Sequence, residues 1–296
     1  MQILVTGGTG FIGSALVPSL VAAGHQLIIL TRQDLPSTGG KRYIADLAQV
    51  TPNTPVDAVI NLAGASLAGK RWSPAYKAEI VNSRLGITGA LLSWIESRQQ
   101  RPEVLLSASA IGYYGHHGDE VLDEAGGCVP GFSQGLCDQW EALATQAVEL
   151  GVRTCLLRLG VVLDNDGGAY EQMALPFKFG VGNWVGNGEQ WLSWIHRADV
   201  IAAMLYLLAD DSLNGAYNLT APEPVTSRGF SAAMGRQRGL WINLPMPAAV
   251  MRVMLGEMAQ ELLISGQRVV PGRLEAAGFQ FKYPDLDMAL NKIMRD

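Results

Sequence analysis

The sequence predicts an α/β fold, a doubly wound parallel sheet followed by a smaller C-terminal lobe. Three observations point there. Apolar runs of strand length alternate with helical repeats through the first half of the chain. A glycine-rich loop joins the first such run to the first helix. Hydrophobic residues make up 48% of the 296 residues and charged residues 17%, enough apolar material for a sizeable core.

The elements follow in order. Gln2–Thr6 is rich in β-formers and ends in glycines. Residues 11–23 carry helical spacing at Phe11, Ala15, Leu16, Leu20 and Ala23, and Gly24 stops the helix. Strands are expected at Gln26–Leu30, 42–45, 56–62, 104–107 and 152–159, and helices at 74–97 and 133–150. Pro74 suits a first helical turn. Strands alternating with helices imply right-handed crossovers and a parallel sheet. The alternation thins after Gly160. Residues 1–160 therefore read as one domain, to which later segments are expected to return, and residues 161–296 as a smaller lobe over the carboxyl edge of the sheet, interleaved with the first part. Arg197–Ala209 reads as an isolated helix of that lobe.

Composition excludes several classes. A net charge of −5 and a pI near 5.4 argue against a nucleic-acid or anionic-membrane surface. No secretory pattern is read at the start, and apolar runs such as 27–30 are far too short to span a bilayer. Cys128, Cys137 and Cys155 show no metal-ligand spacing, so no metal site is expected. The expectation is a cytoplasmic protein, monomer or homodimer, acting on a small molecule.

Gly7, Gly10 and Gly13 form a G-x-x-G-x-x-G loop. Following a strand and opening a helix, this is the context of a Rossmann-like dinucleotide site. The first glycine permits the tight turn. The second admits the pyrophosphate, and the third lets helix pack on strand. The amides that open the helix, around Phe11 and Ile12, then face the anion. Cofactor choice turns on the end of the second strand. An acidic residue there would hold a ribose 2′-hydroxyl and favour NAD. This chain has Leu30-Thr31-Arg32-Gln33, and Arg32 suits a 2′-phosphate, with Thr31 as a second donor. Asp34 is the competing feature if the register slips. The expected cofactor is NADP(H).

With that loop, Asp46-Leu47 and Asn61-Leu62-Ala63-Gly64, the chain resembles the extended short-chain dehydrogenase/reductases. Further segments resemble the atypical subgroup typified by bacterial YfcH proteins, labelled "epimerase family". They are Lys70-Arg71-Trp72, Ser83-Arg84, Ser109 to Gly115, Trp140-Glu141, Gly167-Gly168, Ser193 to His196, Gly256-Glu257-Met258 and Gly266 to Val269. The resemblance implies that Asp46 lies by the adenine, that Leu62 and Ala63 line the cofactor, and that Val161 passes near the nicotinamide. It also places Arg84 where relatives carry an asparagine, four residues before Thr88. There Arg84 could meet pyrophosphate or ribose, with Glu79 orienting it or accepting from a ribose hydroxyl. Active members of the superfamily use a serine with a Tyr-x-x-x-Lys pair. Anchored on Glu141, that pair falls on Ser133 and Cys137, and no tyrosine or lysine lies between Gly115 and Leu150.

Ser109 and Tyr113 are the remaining catalytic candidates, handling the substrate oxygen and its proton. Cys137 reads as a buried, inert thiol, and His196 as a loop-fixing residue. His116 and His117 read as a solvated loop with Asp119 and Glu120. Trp184, Trp191 and Trp194 read as an aromatic wall over the cofactor, and Lys178 as a contact for an anionic group. Two functions stay open: an NADP(H)-dependent oxidoreductase or sugar-nucleotide-epimerase-like enzyme, and a non-catalytic NADP(H)-binding sensor or regulator, since some relatives carry a cell-division-inhibitor label.

Overall fold

The computed structural model describes residues 1–295. Its centre is a sheet of seven parallel strands, numbered here along the chain: β1 (Gln2–Thr6), β2 (Gln26–Leu30), β3 (Lys41–Ile44), β4 (Ala58–Asn61), β5 (Val104–Ala110), β6 (Arg153–Leu159) and β7 (Gly215–Leu219). Their spatial order is β7-β6-β5-β4-β1-β2-β3. The order reverses direction at β1, which pairs Val5 with Ile29 on one side and with Ile60 on the other. A crevice opens at such a reversal, beyond the carboxyl ends of the strands.

Both sheet faces are apolar, as a two-sided parallel sheet requires. On one face Ile3, Val5, Ile29, Ile60, Leu106 and Leu157 pack under α1 (Gly13–Ala22) and α5 (Arg197–Ala209). On the other, Leu4, Ile28, Val59 and Leu105 meet Leu91, Leu92 and Ile95 of α2 (Pro74–Glu96) and Ala147 of α3 (Phe132–Glu149). The period-2 alternation along each strand sorts these side chains. Helix α1 begins at Gly13, two residues later than its periodicity predicts, because Gly10 and Phe11 are spent on the turn.

Helix α5 is not isolated. Val200, Ala203, Met204 and Leu207 recur at helical spacing and bury against the sheet beside Leu16 and Leu20. The chain then supplies β7, whose Tyr217 pairs with Leu157. A second core gathers Tyr170, Phe177, Trp194, Phe230 and Leu290. Its helices are α4 (Gly168–Lys178), α6 (Ser227–Arg238) and α8 (Leu286–Arg295), with α7 (Ala248–Leu255) standing before the last of them. One short ladder lies within this region, Trp194–His196 parallel to Val161–Leu163, and another ties it to the first, Arg268–Val269 parallel to Val121–Leu122. Asp199, fully buried, accepts hydrogen bonds from the Lys282 and Tyr283 amides at 2.9 Å each.

Candidate functional site

At the carboxyl end of β1, Gly7 has φ +69°. A Cβ there would stand 2.6 Å from the carbonyl of Leu62, so the loop presses directly on the segment leaving β4. At Gly13 a Cβ would reach 2.2 Å from the Gly7 oxygen, which is why the helix can open so close to the turn. Gly10 closes that turn with its N–H on the Gly7 carbonyl at 3.0 Å. No side chain caps α1. The amides of Phe11 and Ile12 meet no acceptor among the described residues, so two donors stand open at the positive end of a helix. Phe11 packs its ring under Gly167 and Gly168, and Arg197, paired with Asp164 and Asp166 at 2.7 and 2.5 Å, lies 5.0 Å over it.

The facing wall is braced from beneath. Thr6 donates to Asn61, and the Asn61 amide and the Trp140 indole both donate to the Thr88 hydroxyl at 3.0 Å. Above this network, Ser83 accepts from the Ala65 amide, and Arg84 donates to the carbonyls of Ala65 and Ile80 at 3.1 Å. Arg84 stands 5.3 Å from the Trp140 ring and has no carboxylate partner among the described residues; burial pulls its pKa down. A cation so placed beside the Leu62-Ala63-Gly64 bend is suited to an anion. Glu79 does not orient it. The five-residue step turns Glu79 to solvent, where it meets Lys70 at 3.4 Å.

Thr31 and Arg32 follow β2. The Thr31 hydroxyl accepts from the Gln33 amide, and Arg32 is exposed with no ion pair among the described residues. The Asp46 carboxylate caps the short turn Leu47–Gln49 through the Ala48 amide at 2.8 Å. Leu30, Asp46, Leu47 and Ile87 line one recess there. Val161 is half-buried, and its N–H donates to the Ser193 carbonyl at 2.9 Å.

Ser109 lies inside the protein. Only 2% exposed, it donates to Glu141 at 2.6 Å, and Glu141 receives both arms of Arg158 at 2.8 and 2.9 Å. Arg158 also donates to the Tyr114 hydroxyl, which donates to Asn218. Burial alone would lower the Arg158 pKa, but its hydrogen bonds to the Glu141 carboxylate outweigh that and the net direction is upward; burial pushes Tyr114 up to about 12. This buried hub takes the serine's hydroxyl hydrogen and ties the end of β5 to α3 through Glu141. Tyr113 stacks over the Arg158 guanidinium at 3.5 Å, half-buried, with no hydrogen bond on its hydroxyl among the described residues.

Cys137 is buried and its thiol is pushed up to about 12, chiefly by desolvation, so it is not a nucleophile. His196 caps α5 by accepting from the Ala198 amide, and stacks on Tyr283 at 4.1 Å. The three tryptophans do not form one wall. Trp194 is sealed in the second core, Trp191 donates to Asp119, and Trp184 lies beside Arg228. Lys178 ends α4 exposed to solvent.

A cluster absent from the sequence-based expectations sits at the first turn of α3. Ser133 donates its hydroxyl (2.7 Å) and its amide (3.2 Å) to Glu261, and His116 faces the same carboxylate at 3.8 Å. Gly112 lies against it, since a Cβ there would stand 3.1 Å from the Ser133 Cβ. No local pattern signals a meeting of residues 128 positions apart.

An open sheet with a glycine turn, free helix-end amides and a flanking cation defines a dinucleotide-binding Rossmann protein. Residues 3–134 match the NAD dependent epimerase/dehydratase family, and residues 246–293 match a domain of unknown function. Epimerase family protein SA0724 of Staphylococcus aureus (strain N315) is 39% identical over 302 residues, covering 100% of this chain and 99% of the relative. A Staphylococcus saprophyticus epimerase family protein, SSP1921, is 39% identical over 297 residues, 98% of each. Among solved structures, human epimerase family protein SDR39U1 (isoform2) with NADPH superposes with a TM-score of 0.87 at 32% identity, 100% of each chain covered. A nucleoside-diphosphate sugar epimerase from Corynebacterium glutamicum gives 0.80 at 27% identity over 99% of this chain and 58% of that one. The chain belongs to the epimerase family of extended short-chain dehydrogenase/reductases. Among the described residues no helix is long and apolar enough to cross a membrane.

Proposed function

We propose that this protein is an NADP(H)-dependent oxidoreductase or epimerase-like enzyme acting on a small molecule. The observation that carries the reading is the pair of open amides at Phe11 and Ile12, set between the Gly7 turn and the Leu62-Ala63 bend. These groups fit a pyrophosphate. Gly7, Gly10 and Gly13 supply the turn, and Leu62, Ala63 and Val161 line the cofactor. Arg84 meets the pyrophosphate or the ribose beside it. Asp46 lies by the adenine, and Thr31 and Arg32 take the 2′-phosphate, which makes NADP(H) the partner over NAD(H).

Bound NADP(H) supplies hydride exchange with a substrate carbon. The chain's own residues hold the geometry: Ser109, through Glu141 and Arg158, fixes the turn that carries Tyr113, and Tyr113 lines the substrate side. The human relative's NADPH supports the choice of cofactor, and the sugar-nucleotide epimerase relative supports a nucleotide-linked sugar as one substrate class to try.

Calorimetry with NADPH, NADP, NADH and NAD tests the reading. Preference for the phosphorylated pair, lost in Arg32→Ala, is expected. Equal affinity for all four sinks the role of Arg32. A second reading, a non-catalytic NADP(H) sensor, is favoured by the hydroxyl of Ser109 being committed to Glu141. It predicts tight NADPH binding with no NADPH oxidation across a panel of carbonyl compounds.

A further inference from the structure

The glycine turn is gripped from the second half of the chain. Arg197, the first residue of α5, is 9% exposed and sends its guanidinium to three places. Nε donates to Asp164 at 2.7 Å, Nη2 to Asp166 at 2.5 Å, and Nη1 to the Phe11 carbonyl at 3.3 Å. Both aspartates lie on the segment that follows Val161–Leu163, so the arginine ties that segment to the entry of α1. The same segment closes over the Phe11 ring. Gly168 has φ +74°, and a Cβ there would stand 2.7 Å from the ring.

Arg197 holds one end of a peptide group whose other end is a cofactor donor. The Phe11 carbonyl accepts no backbone N–H among the described residues, because Ala15 and Leu16 both donate to Ile12. Its partners are the Ser14 hydroxyl at 3.1 Å and Arg197. A trans peptide group points its C=O and its N–H in opposite directions. None of the described peptide bonds is cis. Drawing the Phe11 carbonyl toward Arg197 therefore turns the Ile12 N–H the other way, and that N–H is one of the two open donors at the head of α1. The Phe11 N–H is aimed likewise by the Gly10 carbonyl, which accepts from the Ser14 amide at 2.8 Å. Positive charge is not what the arginine brings, since two carboxylates pair with it.

We propose that Arg197 is a positioning residue of the cofactor site, with Asp164 as the carboxylate that fixes its guanidinium, and that together they hold the Ile12 N–H on the pyrophosphate. The inference rests on the cofactor reading given above. Asp166, 73% exposed at its side chain, adds little in water. The arrangement couples the segment after Val161 to cofactor retention, because a shift of Asp164 frees the arginine and, through it, the amide.

The parent protein, Arg197→Gln, Arg197→Lys and Asp164→Asn are compared by calorimetry with NADPH and with adenosine 2′-monophosphate, which carries a 2′-phosphate and no pyrophosphate. R197Q is expected to weaken NADPH about 10-fold, the scale of one hydrogen bond to a charged group, since Ser14 still holds the carbonyl. Affinity for adenosine 2′-monophosphate should stay the same. R197K keeps the charge without the planar fork and should recover only part of the loss. D164N keeps an acceptor for the Asn165 amide and removes the charge, and should weaken NADPH about 3-fold. The sign of that last effect is decisive. An arginine acting by long-range attraction would bind NADPH more tightly once Asp164 is neutral, so tighter or unchanged binding by D164N overturns the inference. Unchanged NADPH affinity in R197Q does so too, as does an equal loss for both ligands, which marks a general loosening of the fold. A parent protein that does not bind NADPH fails the cofactor reading itself, and the inference falls with it.

Discussion

Replacing Arg158 by methionine should be among the most destabilising single changes in the molecule. Arg158 and Glu141 are 5% and 8% exposed at their side chains, so water cannot stand in for either. Methionine fills much of the volume but leaves Glu141 with the single Ser109 hydroxyl, removes a donor from Tyr114, and takes away the cation under Tyr113. Removing one partner of a buried ion pair costs about 3–5 kcal/mol. A domain's whole stability is roughly 5–15 kcal/mol, so the variant should lose a large share of it. Urea unfolding followed by circular dichroism and by tryptophan fluorescence measures the loss and checks that the two transitions coincide. Replacing both partners, Arg158→Met with Glu141→Leu, should recover about 2 kcal/mol, because the uncompensated charge is then gone. A cost below about 1 kcal/mol for the single variant, or a double variant weaker than the single, refutes the reasoning.

Gly13→Ala should overpack the turn, since its Cβ would stand 2.2 Å from the Gly7 oxygen; a loss of about 1–3 kcal/mol and of NADPH binding is expected by urea unfolding and calorimetry. Asp199→Ala strands the Lys282 and Tyr283 amides, and about 2 kcal/mol should be lost by the same unfolding assay. Glu261 sits lower folded (about 2) than an unfolded glutamate (roughly 4.3), so it stabilises above the unfolded value, and that contribution disappears as pH falls from there through about 2. The acid-unfolding curve of Glu261→Gln should accordingly be flatter over that window. Arg32→Glu should reverse the cofactor preference in calorimetry, and an unchanged preference counts against the 2′-phosphate contact.

What could be read in advance was local. The glycine loop, the alternating strands and the helical repeats each depend on neighbours within a few residues, and β1, β2, α2 and α3 lie close to where periodicity puts them. Arg84 stands out in the sequence from its place in a pattern, and the fold sets it against Gly64 and the Ala65 carbonyl. Helix α5 shows an apolar face at Val200, Ala203, Met204 and Leu207, but the face alone does not say which layer it covers, and here it covers the main sheet. The role of Ser109 was hidden for a related reason. A serine at a strand end reads as open to a ligand until Glu141, 32 residues on, takes its hydroxyl. The Ser133–Glu261–His116 cluster joins the middle of the chain to its last sixth, and the aromatic wall dissolved because Trp194 alternates inward from Trp191 across three residues. Such meetings are properties of the tertiary path.

One consequence of that path concerns how the protein is made. Strand β7 forms one edge of the sheet and is the last of its strands to be synthesised, and Asn218 within it accepts from Tyr114 across 104 residues. Until Leu219 has left the ribosome, β6 is an unprotected edge and the Arg158 hub lacks one of its members. A nascent chain stalled before that point would present strand backbone ready to pair with another copy. The stretch from β6 to β7 is therefore where a chaperone that shields edges would matter most during synthesis.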